Sequence, residues 1–246
     1  MNRQIKAEWY RLVHSGHYFG FFLFVSILIA GIPFLINPDY SRQNLLENLA
    51  AYGELLPMLI GAVTCTFLAV LLCSRFGSRT AYYEIMDGAR PAKIIWSKLL
   101  VYCPLALGLT LMQFGIFLLG IGLKNGGGEM KSPALFALLF LIVLLHLFSV
   151  TVMMSLLVQH PIGAAFPYAR FMLLEELAAL ILLELNPEKA ESFSKLLNWL
   201  PMFQLANLVQ ASYSTLFVVQ VIAGFAVEFA VLYAITFAVY KKRLLR

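Results

Sequence analysis

Long apolar segments separated by short polar ones make up most of the 246-residue sequence. The hydrocarbon core of a bilayer is about 30 Å thick, so roughly 20 apolar residues in a helix are needed to cross it. Six segments approach or exceed this length, and the fifth of them is interrupted by ionisable residues. They are residues 17–37, 54–74, 98–123, 133–158, 163–185 and 216–240. The pattern predicts an all-α fold, a polytopic membrane protein with six transmembrane helices in a single domain.

Two amphipathic segments accompany the predicted spans. In residues 1–16, the apolar Ile5, Trp9 and Leu12 recur at near-helical spacing among basic residues, which predicts an N-terminal elbow helix at the membrane interface. Residues 186–215 mix apolar and polar positions and are interrupted by a proline. We expect two short helices there, lying on or dipping into the outer leaflet between spans five and six.

Composition and charge narrow the class of protein. Hydrophobic residues make up 61% of the chain and charged residues only 13%, against about 25% charged residues in a soluble domain, so a large soluble domain is excluded. Most of the 18 Lys and Arg residues lie in segments that are cytoplasmic if the N-terminus is cytoplasmic. The positive-inside rule therefore predicts a multi-pass plasma-membrane protein with both termini in the cytoplasm. The three cysteines show no paired spacing and are expected to pack among apolar residues, without a disulfide or metal site.

The longest predicted cytoplasmic connection, residues 75–97, is the most informative polar segment. Ser78 suits an N-cap, Gly88 suits the end of a short helix, and Pro91 suits the first turn of the helix that enters span three. The pattern predicts two short helices that display charged and aromatic side chains to a partner, although a plain solvated loop fits the same composition. The residues expected to contact the partner are Arg79, Tyr82, Tyr83, Glu84, Asp87, Gly88, Arg90, Pro91 and Lys93.

Ionisable and amide side chains interrupt the predicted spans. Each charge near the bilayer centre costs roughly 2.5–3.5 kcal/mol on insertion scales, so such residues persist where they face protein or water. We therefore expect a polar layer that lines the interior or a dimer interface and meets the basic side chains of a cationic amphipathic substrate. The alternative is a set of hydrogen bonds and neutralised carboxyl groups that only holds the helices together. The residues concerned are Gln113, His146, Arg170, Glu175, Glu176 and Glu228.

The order of these elements resembles the membrane subunit of ABC-2 type exporters, which have the type V fold. The most similar local pattern is an acidic residue, a glycine followed by a basic residue, and a lysine at the start of span three. Here these are Glu84, Gly88, Arg90 and Lys98. In that family the loop is the coupling helix that contacts the ATPase subunit. The size and compact loops are most similar to bacterial exporters of amphipathic peptides, of the phenol-soluble-modulin and bacteriocin-immunity type.

The resemblance implies a permease dimer, with two identical chains as the first expectation, assembled with two copies of a separate ABC ATPase subunit. It also implies that this chain is not an enzyme and binds no cofactor, because ATP and Mg²⁺ are bound by the ATPase. In keeping with this, the sequence contains no Gly-x-x-x-x-Gly-Lys-Ser/Thr phosphate loop. The other implied partners are membrane lipid and an amphipathic peptide or lipid-like substrate, and not nucleic acid.

Other functions stay open on the residues alone. A lipid or drug exporter of the same family would have the same architecture. A secondary transporter usually has more spans and internal repeats, and a channel is a further alternative. An intramembrane protease would carry a motif such as His-Glu-x-x-His, which is absent around His146. An anchor protein without transport activity would purify without an ATPase.

Overall fold

The computed structural model describes the helical parts of the chain. The described residues are 2–14, 16–35, 55–73, 90–125, 133–158, 165–184, 188, 190–208 and 213–244. Within them the fold is all-helical, which confirms the all-α part of the predicted fold class. Most of the predicted coupling loop, from residue 75 to residue 89, lies outside the described residues.

The helices follow the apolar segments of the sequence. They are α1 (Asn2–Val13), α2 (Gly16–Leu35), α3 (Leu55–Cys73), α4 (Pro91–Asn125), α5 (Pro133–Val158), α6 (residues 165–184), α7 (Ala190–Leu197), α8 (Pro201–Asn207) and α9 (Thr215–Leu244). Among the described residues, three stretches are long and apolar enough to cross a membrane: Pro91–Leu123, Pro133–Val158 and Thr215–Lys242. Helices α2 and α3 have 20 and 19 residues and are also apolar. The six-span topology stays a prediction.

Helix α4 begins at the predicted proline. Pro91 occupies its first position, where a missing N–H is tolerated because the first N–H groups of a helix have no intrahelical partner. The carbonyl oxygen of Arg90 accepts hydrogen bonds from the N–H groups of Lys93 and Ile94, at 2.9 and 3.2 Å. The helix then continues for 35 residues to Asn125. One element therefore extends from the end of the loop through the whole predicted third span.

Helix α5 forms the centre of the bundle. It packs against α3, α4, α8 and α9, and 67% of its most apolar stretch is buried, compared with 39% for α4 and 17% for α9. Its buried side chains include Leu144, Leu147 and Phe148, which belong to the main hydrophobic core. Helix α9 therefore lies at the periphery, with one side on α5 and an exposed apolar side that includes Val219 and Val227.

Helix α6 is irregular. Its α-helical turns are Ala165–Tyr168 and Glu175–Ala179, and its π-helical turns are Ala169–Leu174 and Leu180–Glu184. A π-helical turn contains an extra residue and occurs often at functional sites. Arg170 lies in the first of these turns, so the predicted fifth span is distorted where it carries its basic residue.

Two short helices, α7 and α8, lie where the sequence predicts two short amphipathic pieces. Helix α8 is not a surface element, because its residues Pro201, Met202, Gln204, Leu205 and Ala206 are buried. It packs against α3, α5 and α9. The chain between α6 and α9 therefore folds back into the bundle.

Candidate functional site

An ionic cluster links the central helix α5 to α6 and α9. The Glu228 carboxylate of α9 uses both of its oxygens: Oε1 lies 2.6 Å from Nη2 of Arg170, and Oε2 lies 2.9 Å from Nε2 of His146. Three residues predicted as intramembrane polar groups are therefore brought together from three helices. Since a carboxylate can only accept, Nε2 of His146 carries the hydrogen of this bond.

The surroundings of the cluster differ between its members. His146 is fully buried near the middle of α5, and its ring lies 5.6 Å from the ring of Phe225 on α9. The side chains of Arg170 and Glu228 are 27% and 23% exposed. Nδ1 of His146 and Nε of Arg170 are buried and have no hydrogen-bond partner among the described residues. The cluster is thus closed on the side of α5 and open between α6 and α9, with hydrogen-bonding capacity left over.

Electrostatics explains why these residues pair. The guanidinium of Arg170 lies 5.6 Å from the centroid of the Phe171 ring, and Phe171 itself is buried. A charge in such apolar surroundings is costly, roughly 2.5–3.5 kcal/mol on insertion scales, and an opposite charge at hydrogen-bond distance offsets part of that cost. The pair is therefore net neutral, with Glu228 as the shared acceptor for both basic partners.

Gln113 lies in a separate network that joins α2, α3 and α4. Its Nε2 donates to the hydroxyl of Ser26 at 3.0 Å, and its Oε1 accepts from Thr64 at 3.5 Å. The hydroxyl of Thr110 donates to that of Thr64 at 3.0 Å. All four side chains are buried. The geometry fits the alternative in which polar groups hold helices together, and the structure does not bring Gln113 to the ionic cluster.

Glu175 also lies apart from the ionic cluster. It is buried on α6, and its Oε2 accepts a hydrogen bond from the N–H of Met202, at 3.1 Å, in the first turn of α8. A carboxylate at this place satisfies an N–H group that has no partner within its own helix. Nothing is described of the neighbouring Glu176 side chain. Glu175 therefore holds the short inserted helix against α6.

Close packing supports the same insertion of α8. A Cβ added to Gly61 of α3 would lie 2.9 Å from Cδ2 of Leu205. Gln204 is buried, and its Nε2 donates to the carbonyl oxygens of Asn198, at 3.0 Å, and Gln220, at 3.3 Å. The glycine permits the approach of α8, and the amide joins it to α9.

A third polar cluster, which the sequence reasoning missed, joins α1 to α4. Nζ of Lys98 forms an ion pair with Oε1 of Glu8, and the hydroxyl of Tyr102 donates to Oε2 of Glu8 at 3.0 Å. The side chains of Lys98 and Glu8 are only 8% and 2% exposed. A signal existed in the sequence, because Glu8 falls between Ile5 and Leu12 on the apolar side of the amphipathic helix.

The predicted coupling-loop residues are only partly within the described chain. Arg79, Tyr82, Tyr83, Glu84, Asp87 and Gly88 lie outside it. Arg90 and Lys93 are exposed beside Pro91 at the start of α4, so both side chains are accessible to a partner. Among the described residues, no group of three His, Cys, Asp or Glu side chains could hold a metal ion.

In comparisons with known proteins, no family model, curated protein or solved structure is significantly similar to the chain.

Proposed function

We propose that this chain is the transmembrane permease subunit of an ATP-driven exporter of the ABC-2 type that it resembles. It crosses a bacterial plasma membrane six times, with both termini in the cytoplasm. Two copies work with two copies of a separate ABC ATPase subunit, which binds ATP and Mg²⁺. The substrate is amphipathic, with a toxin or antimicrobial peptide as the first candidate, and it moves from the cytoplasm or the inner leaflet to the outside.

The observation that carries the proposal is the joint between α1 and α4. Lys98 directly follows the predicted coupling loop, and its buried ion pair with Glu8, together with Tyr102, ties the N-terminal helix to α4. Breaking a buried ion pair by removing one partner costs about 3–5 kcal/mol. A movement of the loop therefore displaces α1 and α4 together. A permease driven by a separate ATPase needs a rigid element that transmits the movement of the ATPase, and we call the joined helices α1 and α4 the input element.

Contacts between aromatic rings connect this input element to the helix that carries Glu228 of the ionic cluster. The ring of Trp96 on α4 lies 6.2 Å from the ring of Phe229 and 5.9 Å from the ring of Tyr233 on α9, measured between centroids. Phe229 follows Glu228 in the sequence. In the proposed mechanism, movement of α4 shifts α9 through these rings and changes the distances between Glu228, Arg170 and His146.

The chemistry of the cluster suits an amphipathic cation as cargo. The Glu228 carboxylate is partly exposed and already holds one cationic side chain, that of Arg170. A lysine or arginine of the cargo can compete with Arg170 for this carboxylate, because both offer the same charge-assisted hydrogen bonds. Arg170 keeps the site neutral between transport events, when an unpaired carboxylate among apolar side chains would be costly.

The test of the proposed function is co-purification with an ATPase. The tagged chain is extracted in mild detergent, and bound ATPase activity is compared between the wild type, Arg90→Glu and Lys242→Glu. Lys242 is the matched control, because it is an exposed basic residue near the C-terminal end of α9. Activity that co-purifies with the wild type and with Lys242→Glu but not with Arg90→Glu is expected. A chain that purifies intact without any ATPase contradicts the proposal.

A secondary transporter is the second candidate, favoured by one observation. Arg, Glu and His side chains that meet inside a bundle of membrane helices are typical of proton and ion pathways. This hypothesis predicts that the purified chain alone transports its substrate in vesicles, driven by a proton gradient and independently of ATP. A lipid or drug exporter differs from a peptide exporter only in cargo, which a competition assay with labelled peptide and lipid distinguishes.

A further inference from the structure

Among the described residues, one partly exposed side of the predicted spans carries a charged pair. It is formed by α6 and α9, and the Arg170–Glu228 pair reaches the surface there. The surrounding exposed side chains are apolar: Phe166 and Leu173 on α6, and Val231 on α9. We call this surface the α6–α9 face. The exposed side of α2, by contrast, presents apolar side chains such as Phe24 and Ile27.

Lipid is an unsuitable covering for the α6–α9 face. Hydrocarbon offers neither donors nor acceptors to a charged pair, and ionisable residues in membrane helices almost always face protein or water. The pair also has unused hydrogen-bonding capacity, since Nε of Arg170 has no partner within the described part of the chain. The covering surface must therefore be polar at one depth, that of the pair, and apolar above and below it.

A second copy of this chain has such a surface. Arg170 and Glu228 lie side by side at the same depth on neighbouring helices, with 2.6 Å between Nη2 and Oε1. If a two-fold axis parallel to the helices lies just outside this face, opposite the midpoint between α6 and α9, it places α6 of each copy opposite α9 of the other. Arg170 then faces Glu228 of the second copy, and Glu228 faces its Arg170. A two-fold interface is self-complementary in this way.

We propose that the α6–α9 face is the interface of a homodimer, with two arginines and two glutamates alternating around its axis and His146 of each copy behind them. The inference rests on the proposed function, because it uses the membrane topology proposed there. That topology gives both copies the same orientation in the membrane and places the two-fold axis along the membrane normal. It adds the surface by which the two permease chains meet. The same four charges then lie where cargo passes between the copies.

The direction of the helices defines the residues for a cross-linking test. Helix α6 ends next to α7, and α7 meets the beginning of α9, where Gln220 donates to the Lys195 carbonyl oxygen. Helices α6 and α9 are therefore antiparallel. Phe166, four residues before Arg170, and Val231, three residues after Glu228, lie on the same side of the pair, at roughly 4.5–6 Å along the helix axis.

The test mixes two differently tagged chains in one membrane, one with Phe166→Cys and one with Val231→Cys. A short thiol cross-linker is expected to give a covalent dimer that carries both tags. A matched pair, Leu23→Cys on α2 with Leu111→Cys on α4, has similarly exposed positions elsewhere, at nearly one depth because Ser26 of α2 contacts Gln113 of α4, and is expected to give none. The wild type reports any background from the three buried cysteines. Cross-linking of the control pair alone, or of neither pair, overturns the proposal.

Charge reversal supplies a second test that does not use cysteines. Arg170→Glu places four acidic groups at the interface, and Glu228→Arg places four basic groups there, so each variant alone is expected to lose the dimer. Co-expressed, the two variants have complementary faces and are expected to form a heterodimer that carries both tags. Homodimers of either variant, or monomers in the mixture, contradict the proposal.

These outcomes are independent of the ATPase experiment. A cross-linked dimer without a co-purifying ATPase upholds the interface and contradicts the exporter. A co-purifying ATPase without the Phe166–Val231 cross-link upholds the exporter and contradicts the interface.

Discussion

Two interhelical ion pairs in this molecule each join a glutamate to a basic side chain, in different surroundings. At the α1–α4 joint, the Lys98 and Glu8 side chains are 8% and 2% exposed. In the ionic cluster, the Arg170 and Glu228 side chains are 27% and 23% exposed. A sealed pair serves to hold two helices together, because its burial keeps out solvent and a second molecule. A partly open pair keeps the capacity to exchange partners, with a second chain or with the proposed substrate. The difference in burial thus distinguishes the candidate functional ion pair from the structural one.

The largest loss of stability is expected when the sealed Lys98–Glu8 pair is broken. Glu8→Ala removes the carboxylate from a buried lysine, and we expect a loss of about 3–5 kcal/mol in the free energy of unfolding. Thermal unfolding in detergent, followed by tryptophan fluorescence, measures it. The double variant Glu8→Leu with Lys98→Met removes both charges and is expected to recover most of this loss. Equal destabilisation by the single and the double variant would show that packing around Glu8, and not its charge, holds the joint.

The second effect concerns the open pair. Glu228→Gln removes one charge but keeps a group of similar size, and hydrogen bonds to charged groups contribute about 1.5–3 kcal/mol each. Because solvent or a partner can reach Arg170, we expect a stability loss at the lower end of this range but a large loss of transport. The measurements are thermal unfolding and substrate release from vesicles. Unchanged transport would mean that the cluster only holds helices together.

A comparison with Glu175 sharpens this prediction. Glu175→Gln keeps an oxygen that can accept from the Met202 N–H, so assembly and transport are expected to stay close to wild type. Glu175→Ala removes the acceptor and should cost about 0.5–2 kcal/mol, the range for losing a helix N-terminal acceptor. Limited proteolysis of the segment around α8 measures the release of this helix. Loss of transport in Glu175→Gln without loss of stability would place Glu175 in the substrate path.

The smallest loss of stability is expected in the uncharged hydrogen-bond network around Gln113. Gln113→Leu removes two hydrogen bonds among α2, α3 and α4, and polar contacts between membrane helices average about 0.6 kcal/mol each. We expect a loss of roughly 1 kcal/mol in the free energy of unfolding. Transport per folded molecule is expected to stay unchanged. Parallel measurements on Gln113→Leu and Glu228→Gln separate neutral from ionic contacts. A transport defect as large as that of Glu228→Gln would place Gln113 in the same functional unit.

The candidate site was predictable in part. Ionisable residues in apolar segments identify His146, Arg170 and Glu228 from the sequence, because each is improbable in lipid without a partner. Their mutual pairing was not predictable, since His146 and Glu228 lie 82 positions apart. The same reasoning grouped Gln113 and Glu175 with them, whereas the structure places these two in other contacts.

The sequence by itself determined the local properties of this protein. Apolar runs determine where helices form, and Pro91 determines where α4 begins, because hydrophobic periodicity and the missing proline N–H act within a few residues. The tertiary structure decided which helices meet. Only packing inserts α8 beside Gly61, and only packing seals Glu8 while leaving Glu228 partly open. Exposure depends on neighbours that are distant in the sequence, and no local pattern contains that information.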